Sequence, residues 1–197
     1  GLDPAFRVGY LEEGNDGVPD TVQSGDFFGY ALAAGDFDGN GRADLAVGVP
    51  GKDVGVADAG SVIVVYSDTH GLNPSFASRS AQEFQQNTAD VPDAVESGDR
   101  FGAALAAGDF DNSVSGSTRD DLAIGVPGED LVVGGKIYTD VGAVTVLYSS
   151  GTGGLAGAGA TWLTTANPVG VTGAKGPGEQ YGTVLAAGRF GAGQGHD

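Results

Sequence analysis

Four oxygen-bearing side chains alternate with other residues in a short glycine-rich stretch, residues 36–44, which we call loop 1. Asp36, Asp38, Asn40 and Asp44 occupy its first, third, fifth and ninth positions. Arg42, at the seventh position, would contribute its backbone carbonyl and leave its side chain in solvent. Carboxylate, amide and carbonyl oxygens are the hard donors that Ca²⁺ prefers. The sequence therefore predicts a calcium site in loop 1, with magnesium or manganese less favoured.

A second stretch, loop 2 (residues 109–121), keeps part of this pattern. Asp109 and Asp111 hold the first and third positions, and Asp121 corresponds to Asp44 across an insertion. The same oxygen-donor chemistry predicts a second calcium site here. The remaining donors are less regular: the side chain of Ser113, Ser115 or Ser117 would replace that of Asn40, and Arg119 would give the backbone carbonyl.

A third stretch, residues 189–197, has lost the pattern. Arg189 stands where the first aspartate would be, and only Asp197 survives at the last position. We expect no calcium there, since the cation of Arg189 would replace the charge of a metal.

The acidic loops have competing interpretations. An EF-hand begins with the same Asp-x-Asp-x-Asn-Gly pattern but ends on a bidentate Glu, and Val47 stands at that position. A turn that binds nothing needs one or two Asp or Asn residues, not four at alternate positions. A catalytic metal keeps an open coordination position, whereas protein groups supply every donor here. No Gly-x-Ser-x-Gly nucleophile motif occurs. We therefore predict structural calcium and no catalytic residues.

The loops belong to a repeated unit. Residues 24–36 resemble residues 97–109, and a third copy begins at residue 178. Each of the first two units contains about four predicted short strands. They are the segment with the Phe-Gly pair before the loop, an apolar run after the loop and, beyond a polar Gly-rich insertion, a second apolar run and a weaker segment. Four strands per repeat are typical of a β-propeller blade. The sequence predicts an all-β fold of four-stranded antiparallel blades with calcium-binding loops, in an incomplete ring.

The repeats divide the chain into four parts. We expect the tail of a preceding blade in residues 1–23 and a first repeat in residues 24–96. A second repeat would follow in residues 97–177, and a truncated third repeat in residues 178–197.

Short motifs flank the loops in a fixed order. Phe28-Gly29, Phe101-Gly102 and the variant Tyr181-Gly182 come before the loops, and Gly48-Val49-Pro50 and Gly125-Val126-Pro127 come after the first two. This order resembles the FG-GAP repeat of integrin α chains and of many bacterial secreted proteins. The resemblance covers roughly residues 24–197. It implies a β-propeller with calcium in its loops, secreted or at the cell surface, that serves in adhesion or recognition. Propellers of that family usually have seven blades, whereas this chain has about two and a half.

Composition limits the partners. The formal net charge of −17 would repel a phosphate backbone, so we expect no nucleic acid partner. No apolar run is long enough for membrane insertion. We expect a protein or glycan ligand at the loops Lys52–Ala59 and Glu129–Asp140, or further blades from the same or another chain. Two alternatives stay open: an accessory propeller of a secreted hydrolase, whose catalytic residues would lie elsewhere, and a structural subunit that assembles through blade edges, including as a homo-oligomer.

Overall fold

The computed structural model describes residues 11–15, 17–72, 79–111, 119–150, 153–165 and 176–188. The regular structure of these residues consists of twelve β-strands, and no α-helix occurs among them. No helix long and apolar enough to cross a lipid bilayer is found in this part of the chain.

Sheet 1 is built from the first repeat. Its strands are β1 (Leu32–Gly35), β2 (Asp44–Val49), β3 (Ser61–Val65) and β6 (Gln82–Phe84), antiparallel and in that order. A small hairpin, β4 (Ser67–Asp68) and β5 (Gly71–Leu72), follows β3. The central strands β2 and β3 are buried on both faces because apolar clusters cover each face.

Sheet 2 repeats this arrangement. Its strands are β7 (Ala104–Gly108), β8 (Asp121–Val126), β11 (Ala143–Ser149) and β12 (Leu155–Thr164), again antiparallel and in that order. The insertion between β8 and β11 forms a hairpin of β9 (Leu131–Val133) and β10 (Lys136–Tyr138). The two sheets confirm the predicted all-β fold of four-stranded antiparallel units.

The Phe-Gly pairs lie outside the strands, although the sequence predicted them to lie within the first strand of each unit. They lie in turns before β1 and β7, and the strands begin only at Leu32 and Ala104. Gly29 and Gly102 have φ angles of 87° and 92°, a left-handed conformation that strongly favours glycine. The apolar run therefore enters the sheet after the turn, and not at the Phe-Gly pair itself.

The two sheets share one apolar core. It contains side chains from sheet 1, from sheet 2 and from the turn that carries Phe101, which is fully buried. Its largest buried members are Phe37, Tyr66, Phe84, Phe101, Leu122, Ile124, Leu147 and Leu155. Because both sheets contribute, each of the two repeats shares this part of its core with the other.

Glycines allow a close approach where each unit meets the next. A Cβ atom built on Gly48 would lie 2.1 Å from the carbonyl oxygen of Gly102, and one on Gly125 would lie 2.0 Å from that of Gly182. Real Cβ atoms do not come so close to oxygen. The glycine of each Gly-Val-Pro motif is therefore required by the Phe-Gly or Tyr-Gly turn of the following unit.

Candidate metal centres

Loop 1 connects β1 to β2 and brings three carboxylates together. One oxygen from each of Asp36, Asp38 and Asp44 lies within 4.8 Å of the others. Asp36 is buried, and its two oxygens accept hydrogen bonds from the backbone N–H groups of Gly39, Asn40 and Gly41. These bonds fold the loop around the Asp36 carboxylate, so the loop has a defined shape through its own backbone.

Asn40 and Arg42 occupy the exposed rim of loop 1. The side-chain oxygen of Asn40 accepts a bond from the Arg42 N–H at 2.9 Å, and its amide nitrogen donates to the carbonyl of Ser67 at 2.8 Å. Arg42 is exposed, as the sequence predicted for its side chain. The Asn40 oxygen has a second lone pair that remains available to a cation.

Asp44 and Asp121 have the same place in the two sheets. Asp44 accepts the N–H of Phe37 at 2.9 Å and of Ser67 at 2.8 Å, one on each oxygen. Asp121 accepts the N–H of Phe110 and of Ser149, both at 2.9 Å. Each carboxylate thus joins its acidic loop to the end of the third strand of its sheet.

The two anchoring carboxyls have raised pKa values. Burial, reinforced by the charges of Asp38 and Asp36, raises the pKa of Asp44 to about 6, although its two backbone hydrogen bonds act in the opposite direction. Burial also raises the pKa of Asp121. A cation in either loop would favour the ionised form and lower these pKa values.

Loop 2 gathers a second set of carboxylates. One oxygen from each of Asp109, Asp111 and Asp121 lies within 4.8 Å of the others. Ser113, with the alternatives Ser115 and Ser117, lies outside the described residues, as does the third stretch at residues 189–197. Arg119 is described, and its side chain lies against Gly39 of loop 1, where a Cβ atom would come within 2.8 Å of it.

Residues within and beside loop 2 also hold loop 1. The N–H of Asp36 donates to Oδ2 of Asp120, and the N–H of Asp120 donates to the carbonyl of Asp36, both at 2.9 Å. The hydroxyl of Ser149 donates to the carbonyl of Phe37 at 3.1 Å. At the start of β8, the Asp120 carboxylate accepts a bond from loop 1, whereas the Asp121 carboxylate accepts one from Phe110 in loop 2.

A guanidinium stands near loop 1. Nε of Arg79 lies 3.6 Å from Oδ2 of Asp38, and the guanidinium carbon lies 5.0 Å from the centre of the Tyr66 ring. One of its terminal nitrogens donates to the carbonyl of Gly153 at 2.7 Å. Arg79 thus places one positive charge beside the acidic cluster, which still contains three carboxylates.

Two further polar clusters were missed by the sequence reasoning. The first, socket 1, consists of Glu13, Asp20, Asp26 and Lys52 beside sheet 1. The second, socket 2, consists of Gln86, Asp93, Asp99 and Glu129 beside sheet 2. A sequence signal was available, because Val18-Pro19-Asp20 returns as Val91-Pro92-Asp93.

The geometry defines a class of protein: an all-β repeat protein whose four-stranded antiparallel sheets each carry an acidic loop between the first two strands. Residues 28–65 match the family model described as the FG-GAP repeat. Residues 28–65 therefore carry an FG-GAP repeat, a repeat that is typical of β-propellers.

Relatives of two kinds are similar to this chain. It is 33% identical over 128 residues to human phosphatidylinositol-glycan-specific phospholipase D, an alignment that covers 64% of this chain and 14% of the relative. It is 32% identical over 122 residues to integrin alpha-PS2 of Drosophila melanogaster, covering 59% of this chain and 8% of the relative. The chain thus spans only a small part of the length of these relatives.

Proposed function

We infer that this chain is a calcium-stabilised recognition module of a secreted or cell-surface protein and that it is not itself catalytic. Two acidic clusters at equivalent places support this proposal. Both contain only oxygen donors, which suit Ca²⁺. Ca²⁺ sites of moderate affinity are occupied outside cells, where the ion is millimolar, so the location follows from the same chemistry.

In this proposal, calcium in loop 1 would be held by Asp36, Asp38, Asn40 and Asp44 with the carbonyl of Arg42. Calcium in loop 2 would be held by Asp109, Asp111 and Asp121 together with donors from the insertion. The ion would neutralise carboxylates that otherwise repel one another at the start of a buried strand. All of these donors belong to the protein, so the proposed role is structural.

The observation that carries the proposal is the connection of loop 1 to both sheets. Its first carboxylate belongs to a residue bonded to Asp120, and its last carboxylate is bonded to Ser67, which begins β4 just after β3. A cation between Asp36 and Asp44 would therefore stiffen the first sheet and its contact with the second. Losing the ion should loosen the contact between the repeats as well as the loop.

Thermal unfolding with and without calcium tests this proposal. An ion that binds only the folded chain stabilises it by about 2.7 kcal/mol when its free concentration is one hundred times its Kd. We expect the Tm to fall in EDTA, to recover with excess Ca²⁺ and to recover less with Mg²⁺. An identical Tm in EDTA and in calcium would refute calcium stabilisation.

The β9–β10 hairpin is the surface that we propose for recognition. Val132 and Ile137 are cross-strand partners and are 70% and 62% exposed. The ammonium of Lys136 lies 4.4 Å from the centre of the Tyr138 ring. Exposed apolar side chains on a hairpin held by a rigid sheet suit a protein or glycan ligand. Replacing both apolar residues with Ser should abolish ligand binding and leave the Tm unchanged.

A second candidate is an accessory module of a secreted enzyme. The similarity to phosphatidylinositol-glycan-specific phospholipase D favours it, since this chain covers only 14% of that protein. The two candidates differ in what adjoins these residues, not in how they fold. An assay of hydrolysis by a longer protein that contains this chain, with the chain present and with it deleted, separates the two candidates. If the chain is a recognition module only, its deletion should leave the turnover of a soluble substrate unchanged.

A third possibility is a subunit that assembles through sheet edges. A stable monomer in light scattering would exclude it.

A further inference from the structure

A cleft of about 370 Å³ lies beside the three successive turns that carry the Phe-Gly and Tyr-Gly pairs. Each turn lines the cleft with the residue before its pair and the residue after it. These residues are Phe27 and Tyr30, Arg100 and Ala103, and Gln180 and Thr183. The buried Pro50 and Pro127 of the Gly-Val-Pro motifs line it as well. A cleft of this volume falls in the range of about 300–1,000 Å³ that is usual for small-ligand sites.

Backbone hydrogen bonds give the three turns one shape. In each turn, the N–H of the residue after the pair donates to the carbonyl of the residue before it. These bonds join Tyr30 to Phe27, Ala103 to Arg100 and Thr183 to Gln180, at 3.0, 3.0 and 3.2 Å. The N–H of Arg100 also donates to the carbonyl of Asp58 at 3.1 Å, which brings a further segment to the cleft. The cleft is therefore formed by fixed backbone.

The residue before each pair has a left-handed backbone. The φ angles of Phe27, Arg100 and Gln180 are 58°, 58° and 52°. Glycine adopts this conformation without a steric cost, whereas large side chains are rare in it. Strained residues of this kind concentrate at functional sites, where a particular side chain is needed. The turn itself would be best served by glycine, so the three large side chains call for another reason.

Two aromatic rings form the apolar part of the cleft. Phe27 and Tyr30 are 65% and 66% exposed. Their ring centres lie 6.4 Å apart, with the rings edge to face. Aromatic side chains normally bury most of their large surface. The two rings therefore offer uncovered apolar area to a ligand.

Polar side chains of both kinds surround the rings. Arg100 and Gln180 supply N–H donors, and Asp58 and Gln180 supply oxygen acceptors. All three side chains are exposed. Within the part of the chain that the structure describes, no salt bridge joins Arg100 or Asp58 to another side chain. The cleft can therefore bind a ligand that both donates and accepts hydrogen bonds.

Charge selects among such ligands. The net charge of −17 and the Asp58 carboxylate repel an anion, and the Arg100 guanidinium in the same cleft repels a cation. A neutral ligand with several hydroxyl groups meets neither repulsion. Its hydroxyls can donate to Asp58 and accept from Arg100. A sugar ring also presents an apolar face of C–H groups, which suits an exposed aromatic ring.

We propose that this cleft is a binding site for a neutral carbohydrate. Phe27 and Tyr30 contact the apolar face of a sugar ring. Arg100, Asp58 and Gln180 form hydrogen bonds with its hydroxyl groups. The proposal rests on the recognition role inferred above and adds to it a second surface, separate from the β9–β10 hairpin, with a ligand class of its own.

Binding of the 197-residue chain to an oligosaccharide array tests the proposal. The array contains neutral oligosaccharides of glucose, mannose, galactose and N-acetylglucosamine, acidic oligosaccharides, and peptides. We expect neutral oligosaccharides to bind and acidic ones to bind less well. Binding confined to peptides or to acidic oligosaccharides would overturn the proposal, and so would a failure to bind any neutral oligosaccharide.

Calorimetry with the neutral oligosaccharide that binds best then locates the site. Phe27→Gly and Arg100→Gly each remove a side chain from the cleft, and glycine suits the left-handed backbone. Each variant should unfold at no lower temperature than the parent chain and should bind about tenfold more weakly or worse, a loss that calorimetry resolves. Leu32→Ala, which removes an apolar side chain that is 61% exposed outside the cleft, should leave the affinity unchanged. An unchanged affinity in both glycine variants would overturn the proposal.

The hairpin variant Val132→Ser with Ile137→Ser separates this site from the hairpin surface. It should keep the affinity for carbohydrate, because the hairpin does not line the cleft. If carbohydrate binding instead survives both glycine substitutions and is lost in the hairpin variant, the recognition role stands and the proposal for the cleft fails.

Discussion

Asp36 and Asp120 are joined by two hydrogen bonds in opposite directions, although they belong to different repeats. The N–H of Asp36 donates to the carboxylate of Asp120, and the N–H of Asp120 donates to the carbonyl of Asp36, each at 2.9 Å. The first residue of loop 1 is therefore held by Asp120, the residue that immediately precedes β8 in sheet 2. The contact between repeats and the shape of loop 1 depend on the same pair.

Asp120→Ala should weaken this contact. The Asp36 N–H would lose its acceptor, and an unsatisfied, partly buried donor costs about 1–3 kcal/mol. We expect urea unfolding to show that loss in EDTA and a lower calcium affinity for loop 1. The exposed Glu179→Ala provides the control. A variant as stable as its parent, with unchanged calcium affinity, would mean that the pair contributes nothing to either property.

Much of the local structure could be predicted from the sequence, because strands and acidic loops have short-range patterns. The spacing of Asp36, Asp38 and Asp44 correctly predicted that their side chains converge. The apolar runs after both loops correctly predicted β2 and β8. Metal binding by these residues and the boundaries of the repeats stay predictions.

The contacts between repeats could not be predicted in this way. The bond between Asp36 and Asp120 joins residues 84 positions apart, and no local pattern specifies it. The sockets were missed for a different reason. Lys52 and Glu129 occupy equivalent positions but carry opposite charges, so a comparison of residue types does not reveal that the two sockets correspond. The correspondence is visible in the matched backbone bonds of Gly51 and Gly128, and the repeated Val-Pro-Asp sequence was the available signal.

Asp44 and Asp38 should respond differently to the same substitution. Asp44→Asn replaces one acceptor oxygen by an N–H₂ group that faces a backbone donor, so we expect a loss of about 1–3 kcal/mol with or without calcium. The Asp38 carboxylate accepts the exposed N–H of Asn40 at 3.1 Å and lies 3.6 Å from Nε of the partly exposed Arg79. Asp38→Asn should therefore have little effect in EDTA and should reduce stabilisation by calcium.

Chemical unfolding in EDTA and in excess Ca²⁺ measures both variants. If the two variants lose equal stability in EDTA, the anchoring role assigned to Asp44 is wrong. If Asp38→Asn keeps the full stabilisation by calcium, Asp38 is not a ligand.

Gly48→Ala should be strongly destabilising because the added methyl group has no space. Its Cβ atom would lie 2.1 Å from the carbonyl oxygen of Gly102, and relief requires the two repeats to separate. Overpacking of this severity costs about 3 kcal/mol or more. Gly125→Ala should behave alike, since its Cβ atom would lie 2.0 Å from the oxygen of Gly182.

The control for this effect is Gly55→Ala. Gly55 has a φ of +75° but no atom within 4 Å of a built Cβ atom, so only the cost of a left-handed backbone applies, about 1 kcal/mol. Thermal unfolding of the three variants separates a steric cost from a conformational one. Equal losses at Gly48 and Gly55 would contradict the close approach between repeats.

Metal-free chain should lose stability as pH rises, and socket 2 should account for part of that loss. Burial raises the pKa of Asp99 to about 7, and burial with the charges of Asp93, Asp99 and Glu96 raises that of Glu129. A carboxyl whose pKa is higher in the folded chain stabilises it fully below the unfolded pKa of about 4. That stabilisation declines as pH increases through the folded pKa. The groups that act on this pair are Gln86, Asp93 and Glu96.

The measurement is the free energy of unfolding in EDTA from pH 4 to pH 8. Glu129→Gln removes one titrating group and keeps a side chain of similar shape, so the stability of this variant should decline less steeply than that of the parent chain.

Lys52→Gln is the opposite case in socket 1. It removes the partner that lowers the pKa of Asp20, so the contribution of ionised Asp20 above its unfolded pKa should disappear, and the chain should be destabilised most at neutral pH. Parallel pH profiles for the parent chain and Glu129→Gln would mean that Glu129 is ionised without penalty, and the raised pKa assigned to this carboxyl would be wrong.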